Sequence, residues 1–92
     1  MNKSELNKIL QEHGVPQDFY SLTGGHPNDC YCLHKSGYKW FVYYTERGLE
    51  IGTKEFISES DACEYLLKLI LEDEALMSYV KKNKKQSGHE KI

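Results

Sequence analysis

Cys30, Cys32 and His34 alternate along one short stretch, with His26 upstream, and together they are the chain's nearest approach to a metal-ligand set. Zinc held by paired cysteines needs both sulfurs about 2.3 Å from one ion, which a short turn between them supplies. The residues around Tyr31 and Leu33 predict a strand instead, and side chains at i and i+2 of a strand run side by side without converging. The spacing therefore predicts small apolar cysteines packed beside Phe41 and Tyr43, with no metal and no other cofactor. An odd total of three cysteines argues against a disulfide framework. Cys30 and Cys32 would stand roughly 6.5–7 Å apart at Cα, the outer limit for an unstrained bridge. Reduced thiols are expected.

Other chemistry fares no better. Cys63, beside Glu64, falls near a predicted helix start, a place that lowers a thiol's pKa when it is exposed. Its position by an apolar stripe predicts a buried thiol. Gly24-Gly25 resembles a phosphate cradle, but such a cradle opens onto a helix N-terminus, and here a strand follows. Four histidines (His13, His26, His34 and His89) stand among many carboxylates, yet no nucleophile elbow, paired-acid spacing or metalloprotease motif occurs. The chain is expected not to be an enzyme.

Charge is more informative. The net charge is −2, but residues 46–74 hold nine acids against Arg47, Lys54 and Lys68, while residues 75–92 hold five lysines against Glu90. An acidic middle does not suit a nucleic-acid surface and does suit a basic protein partner.

The elements that must position these groups follow from periodicity. Leu6, Ile9 and Leu10 recur at helical spacing after a cap at Asn2 or Ser4, and Gly14-Val15-Pro16 stops that helix near His13. Phe19 to Leu22 is a brief strand, and Thr23 to Asn28 a loop. Three strands follow at 29–35, 38–46 and 49–56, joined by two-residue turns at Ser36-Gly37 and Arg47-Gly48. Counting from those turns sets Leu33 opposite Trp40, Tyr31 opposite Val42 and Ile51 opposite Tyr44. Tyr31, Leu33, Tyr38, Trp40, Val42, Tyr44, Leu49 and Ile51 then share a core face. Cys30, Cys32, His34, Lys39, Phe41, Tyr43, Glu50, Gly52 and Lys54 share the other. That second face is either an open aromatic contact surface or covered by a helix or a dimer partner.

Ser58 caps a helix whose stripe is Ala62, Leu66, Leu69, Ile70, Leu76, Met77 and Val80. Glu72-Asp73-Glu74 interrupts it, so the helix bends or restarts there with Asp73 as a new cap. The expected fold is α+β, an antiparallel meander of three to four strands between an N-terminal and a C-terminal helix (α-β-β-β-β-α), both helices on one sheet face. Residues 1–85 form one domain and 86–92 a flexible tail. Met1 to Glu5 lacks the apolar core of a signal peptide and no run is long enough to span a bilayer, so a cytoplasmic location is expected, without membrane contact.

The helix–strands–helix order is shared with double-stranded-RNA-binding modules, which place lysines at the N-terminus of the last helix. Here that place holds Ser58-Glu59-Ser60-Asp61, the wrong sign for phosphate. A small cytoplasmic nucleic-acid-binding or regulatory module, using the lysine-rich end, is the alternative functional reading.

A longer pattern points elsewhere. Pro16-Gln17-Asp18-Phe19-Tyr20-Ser21-Leu22 leads through the Gly-Gly loop to Cys30-Tyr31-Cys32-Leu33, then to Trp40-Phe41-Val42-Tyr43-Tyr44-Thr45-Glu46-Arg47-Gly48, and ends with Phe56-Ile57-Ser58-Glu59-Ser60-Asp61-Ala62-Cys63-Glu64-Tyr65-Leu66. Over residues 15–70 this succession resembles small bacterial immunity proteins, those encoded beside polymorphic or contact-dependent growth-inhibition toxins. The resemblance implies a protein that binds a cognate toxin C-terminal domain, of nuclease type, and occludes its active site without chemistry of its own. An acidic surface suits the basic cleft of such a toxin and speeds its capture. The expected toxin-binding residues are Glu46, Arg47, Glu50, Glu55, Glu59 and Asp61, with Phe41 and Tyr43 as aromatic anchors. Capping competes for Glu59 and Asp61, and plain turn chemistry for Glu46 and Arg47. A monomer or weak dimer is expected, with no nucleic-acid partner.

Overall fold

A computed structural model describes residues 1–90, with side chains as far as Lys82. Asn2 opens the first helix, α1 (Lys3–Glu12), through a reciprocal box. Its side chain accepts the Glu5 N–H at 2.9 Å, and the Glu5 carboxylate accepts the Asn2 N–H at 2.9 Å. Leu6 and Leu10 are the fully buried residues of this helix. A 3-10 turn at Gln17–Phe19 then leads into four strands: β1 (Tyr20–Ser21), β2 (Cys30–Ser36), β3 (Lys39–Glu46) and β4 (Leu49–Phe56), in sheet order β1-β2-β3-β4.

The sheet is mixed, which corrects the purely antiparallel expectation. β1 runs parallel to β2, with Tyr20 opposite Tyr31 and Ser21 opposite Cys32. The cause is the connection. Residues 22–29 cross the Cys32/Tyr43 face before the chain re-enters the sheet in its original direction, which no tight hairpin turn could do.

The first hairpin is displaced from its expected register. Its loop is Gly37-Tyr38, so Leu33 faces Val42, Tyr31 faces Tyr44 and Lys35 faces Trp40. Gly37 has φ 64, as a type II′ turn requires at its first central position. Moving a turn by one residue shifts cross-strand partners by two, so the side chains that remain in the strands keep their expected faces and Tyr38, now in the loop, does not. The second hairpin turns at Arg47-Gly48 with both residues at positive φ, and Ile51 faces Tyr44 as expected.

Halfway along β4 the alternation breaks. The β3–β4 register slips between Val42 and Tyr44, where Gly52 at φ 66 forms a bulge. Beyond it Lys54 faces Val42 and Phe56 faces Trp40. Lys54 therefore lies on the helix side, against expectation, its ammonium 5.7 Å from the Tyr65 ring.

α2 (Glu59–Glu72) lies across β2, β3 and β4 with α1 beside it, so that Leu33, Trp40 and Val42 share one core with Leu6, Leu10, Ala62, Cys63, Leu66 and Ile70. Ser58 caps α2 by accepting the Asp61 N–H at 3.2 Å. Of the bend or restart expected at Glu72-Asp73-Glu74, the structure shows the restart, so the C-terminal helix is two. Asp73 has extended backbone (ψ 101), ends α2, and starts α3 (Glu74–Glu90) by accepting the Leu76 N–H at 3.1 Å on its carboxylate. α3 returns Val80 to the core and sets Tyr79 against Phe19, ring centroids 5.3 Å apart. No side chain of the tail expected at 86–92 is among those described, and Lys91 and Ile92 lie outside the described residues altogether. Among the described residues no helix is long and apolar enough to cross a membrane.

Candidate functional site

The face carrying Cys30, Cys32 and Tyr43 is closed by the chain itself. The Tyr43 hydroxyl donates to the Gly25 carbonyl at 2.8 Å, and the Thr45 hydroxyl donates to the Pro27 carbonyl. The loop lies so close that a Cβ at Gly24 would come within 2.5 Å of His34 Nδ1. Gly24 thus serves close approach to β2, whereas a Cβ at Gly25 would meet only Pro27 Cδ at 3.9 Å. Tyr43, expected as an exposed anchor on this face, is only 3% exposed and sits in a cluster with Cys30 and Cys32. Phe41, half-buried at the margin of that cluster, keeps an open side.

All three thiols are free and buried. Burial pushes Cys32 and Cys63 up from the ordinary 9.0 to about 11, and raises Cys30 as well. Protonated thiols of this kind are poor nucleophiles and poor metal ligands at neutral pH.

The expected acids fall into separate groups. The bulge at Gly52 turns Glu50 and Glu55 onto one face, opposite Thr45 and Phe41 respectively, although their odd spacing would divide them in a regular strand. Each has a surface partner: Glu50 with His26 at 3.0 Å, Glu55 with Lys39 at 2.9 Å. Both pairs are exposed and so are worth no more than about 1 kcal/mol. Glu46 and Arg47 stand exposed at the hairpin tip. Glu59 and Asp61 lie past the far end of β4, an eight-residue strand spanning roughly 26 Å. There Glu59 accepts the Lys3 backbone N–H at 3.0 Å, and the Asp61 backbone N–H is the one that Ser58 caps. These two acids stand at the junction of α1 and α2, away from the hairpin tip.

β4 is the long edge of the sheet, exposed from Leu49 to Glu55. Leu49 and Ile51, expected in the core, are 68% and 46% exposed, and Tyr38 is 72% exposed in its turn. Tyr38 left the core because it became a loop residue. Leu49 and Ile51 are the apolar side chains of the tip half of β4, whose core contact is made at its other end, by Phe56.

The periodicity did not anticipate a pocket on that same face. Phe19, Tyr31, Tyr44 and Tyr79, with Asp29 and Asp73, line a surface cavity of about 320 Å³ whose floor is the Tyr31–Tyr44 pair, centroids 4.8 Å apart and edge to face. The Tyr31 hydroxyl donates to Asp73 at 2.7 Å. Burial, then its bond to the Asp73 carboxylate and that group's charge, raise Tyr31; burial, then the charges of Asp29, Glu46 and Asp73, raise Tyr44. Two of its parts were legible beforehand, namely the shared face of Tyr31 and Tyr44 and the cap at Asp73. The fold-back of α3 that delivers Tyr79 had no signal in the spacing.

No protein-family model, curated protein or solved structure matches this chain.

Proposed function

We propose that this chain is an immunity protein of the contact-dependent growth-inhibition type, which binds a cognate toxin C-terminal domain of nuclease type and covers its active site. The observation that carries the reading is the β3–β4 hairpin. Its outer strand, β4, is an exposed edge that meets the core only at Phe56; the bulge puts Glu50 and Glu55 on the face of Phe41, and Glu46 and Arg47 stand at the tip. The hairpin's charges sum to zero, Glu46, Glu50 and Glu55 against Lys39, Arg47 and Lys54, but the bulge leaves Lys54 on the helix side and Glu50 and Glu55 together on the other, where they outnumber Lys39. That local excess of acid suits a basic substrate cleft, and opposite charge raises the association rate. Arg47 at φ 53 supports the same reading: a non-glycine residue held in the left-handed region on an exposed tip is a costly choice for a turn alone. The role asks for no chemistry from the protein, in keeping with its buried, protonated thiols. It places the protein in the cytoplasm, where a nuclease delivered into the cell does its damage.

The proposal requires a toxin C-terminal domain encoded beside this chain, and the test is co-expression with it. Growth is expected to be restored, and the two proteins to copurify. Continued killing in the presence of folded, soluble protein contradicts the reading. The nucleic-acid alternative makes the opposite forecast, namely tight RNA or DNA binding at low salt that weakens steeply as salt rises.

A further inference from the structure

We propose that the pocket between the 3-10 turn, β2, β3 and the start of α3 is a socket for an arginine side chain of the bound protein. The lining combines four aromatic rings with the carboxylates of Asp29 and Asp73, and no lysine, arginine or histidine lines it among the described residues. A guanidinium fits both halves of that chemistry. Its plane stacks on aromatic faces, and its fixed fork of N–H donors matches a carboxylate, whereas an ammonium is a more strongly hydrated point charge.

Charge decides against an anion. Asp73 already fills the donor end of α3 by accepting the Leu76 N–H, and Glu74 follows it in the first turn, so the positive pole of that helix is occupied. Asp73 uses one oxygen for Leu76 and the other for Tyr31, leaving further lone pairs on both. Among the described residues no hydrogen bond or ion pair engages the carboxylate of Asp29, an exposed residue at φ 52. Glu46 adds its charge from the neighbouring hairpin tip.

Size and surroundings indicate a protein side chain. A volume of about 320 Å³ is at the lower end for small-molecule sites, which run from roughly 300 to 1,000 Å³. Tyr44 on the pocket floor pairs directly with exposed Ile51, so the socket continues into an apolar strip with Leu49 beside it. An aromatic-lined socket within a wider apolar and acidic surface, closed off from water when the partner docks, is how interfaces seat an arginine anchor. The proposal rests on the preceding reading only for the partner being a basic protein; the pocket's preference for guanidinium is tested without any partner.

The experiment is an NMR titration of the protein with N-acetyl-arginine methylamide, following aromatic and backbone signals, beside equal titrations with the capped citrulline and lysine amides. Saturable shifts are expected at Tyr31, Tyr44, Tyr79 and Asp73, with the arginine probe binding at least fivefold more tightly than either of the others. Asp29→Asn keeps a residue type that tolerates positive φ and removes the charge, and is expected to weaken binding at least threefold. Tyr79→Leu is expected to do the same, and Glu12→Gln, on the exposed end of α1, to leave binding unchanged. Equal shifts from citrulline, equal affinity for lysine, or shifts that centre on other acids overturn the socket. Such a failure leaves rescue by co-expression intact, and a failed rescue leaves the titration intact, so the two claims fall separately.

Discussion

Thr45 shows what a single side chain does here. Among the described residues it is the one fully buried polar side chain, and its hydroxyl accepts the Cys30 N–H at 3.3 Å while donating to the Pro27 carbonyl. It thereby fastens the 22–29 loop over the second sheet face. Thr45→Val keeps the shape and leaves both groups unsatisfied, so a loss of about 1–3 kcal/mol is expected in urea unfolding. The thiols set a second expectation. Cys32 and Cys63 are held near 11 in the folded state against 9.0 when free, so unfolding releases protons once pH exceeds 9. Their contribution is therefore fully present below pH 9 and lost as pH rises through about 11, on the order of 2 kcal/mol for each. The urea midpoint should be level from pH 7 to 8.5 and fall steadily above 9. A midpoint still level at pH 10.5 contradicts the buried thiols.

At the level of elements, two backbone positions matter most. Gly52 carries the bulge, with open space where a Cβ would go, so Gly52→Val tests conformation alone. A cost of about 1–2 kcal/mol is expected, and a register that tries to escape it would part Glu50 from Glu55. Arg47 gives the converse case. Asn-Gly is the preferred pair for its turn, so Arg47→Asn is expected to raise stability by about 0.5–1 kcal/mol while speeding release of the proposed toxin partner through the lost tip contact. Calorimetry reads the first effect and surface plasmon resonance the second. Alternation and turn chemistry made most of the elements legible, down to the caps at Asn2, Ser58 and Asp73. They could not show the bulge, since Leu49-Glu50-Ile51-Gly52-Thr53-Lys54 reads as a regular strand, and only the pairing of Trp40 with Phe56 demands the extra residue. The parallel β1 was equally hidden, because a two-residue strand has no period and its direction is set by where its loop travels.

For the molecule as a whole, composition identified an acidic half but not its distribution. The acids gathered by sequence are spread over the hairpin and the α1–α2 junction, and Tyr43 is sealed beneath a loop whose path depends on contacts far apart in sequence. Open to a partner among the described residues are the edge strand β4 with its tip and, on the helix-side face, the tyrosine pocket. The most direct test is the association rate with the toxin domain, measured across salt for the natural protein and for Glu46→Lys/Glu50→Lys/Glu55→Lys. If Glu46, Glu50 and Glu55 guide capture, the reversed protein, still folded, associates at least tenfold more slowly, and its rate rises with added salt where that of the natural protein falls. Equal rates and equal salt slopes for the two proteins contradict it.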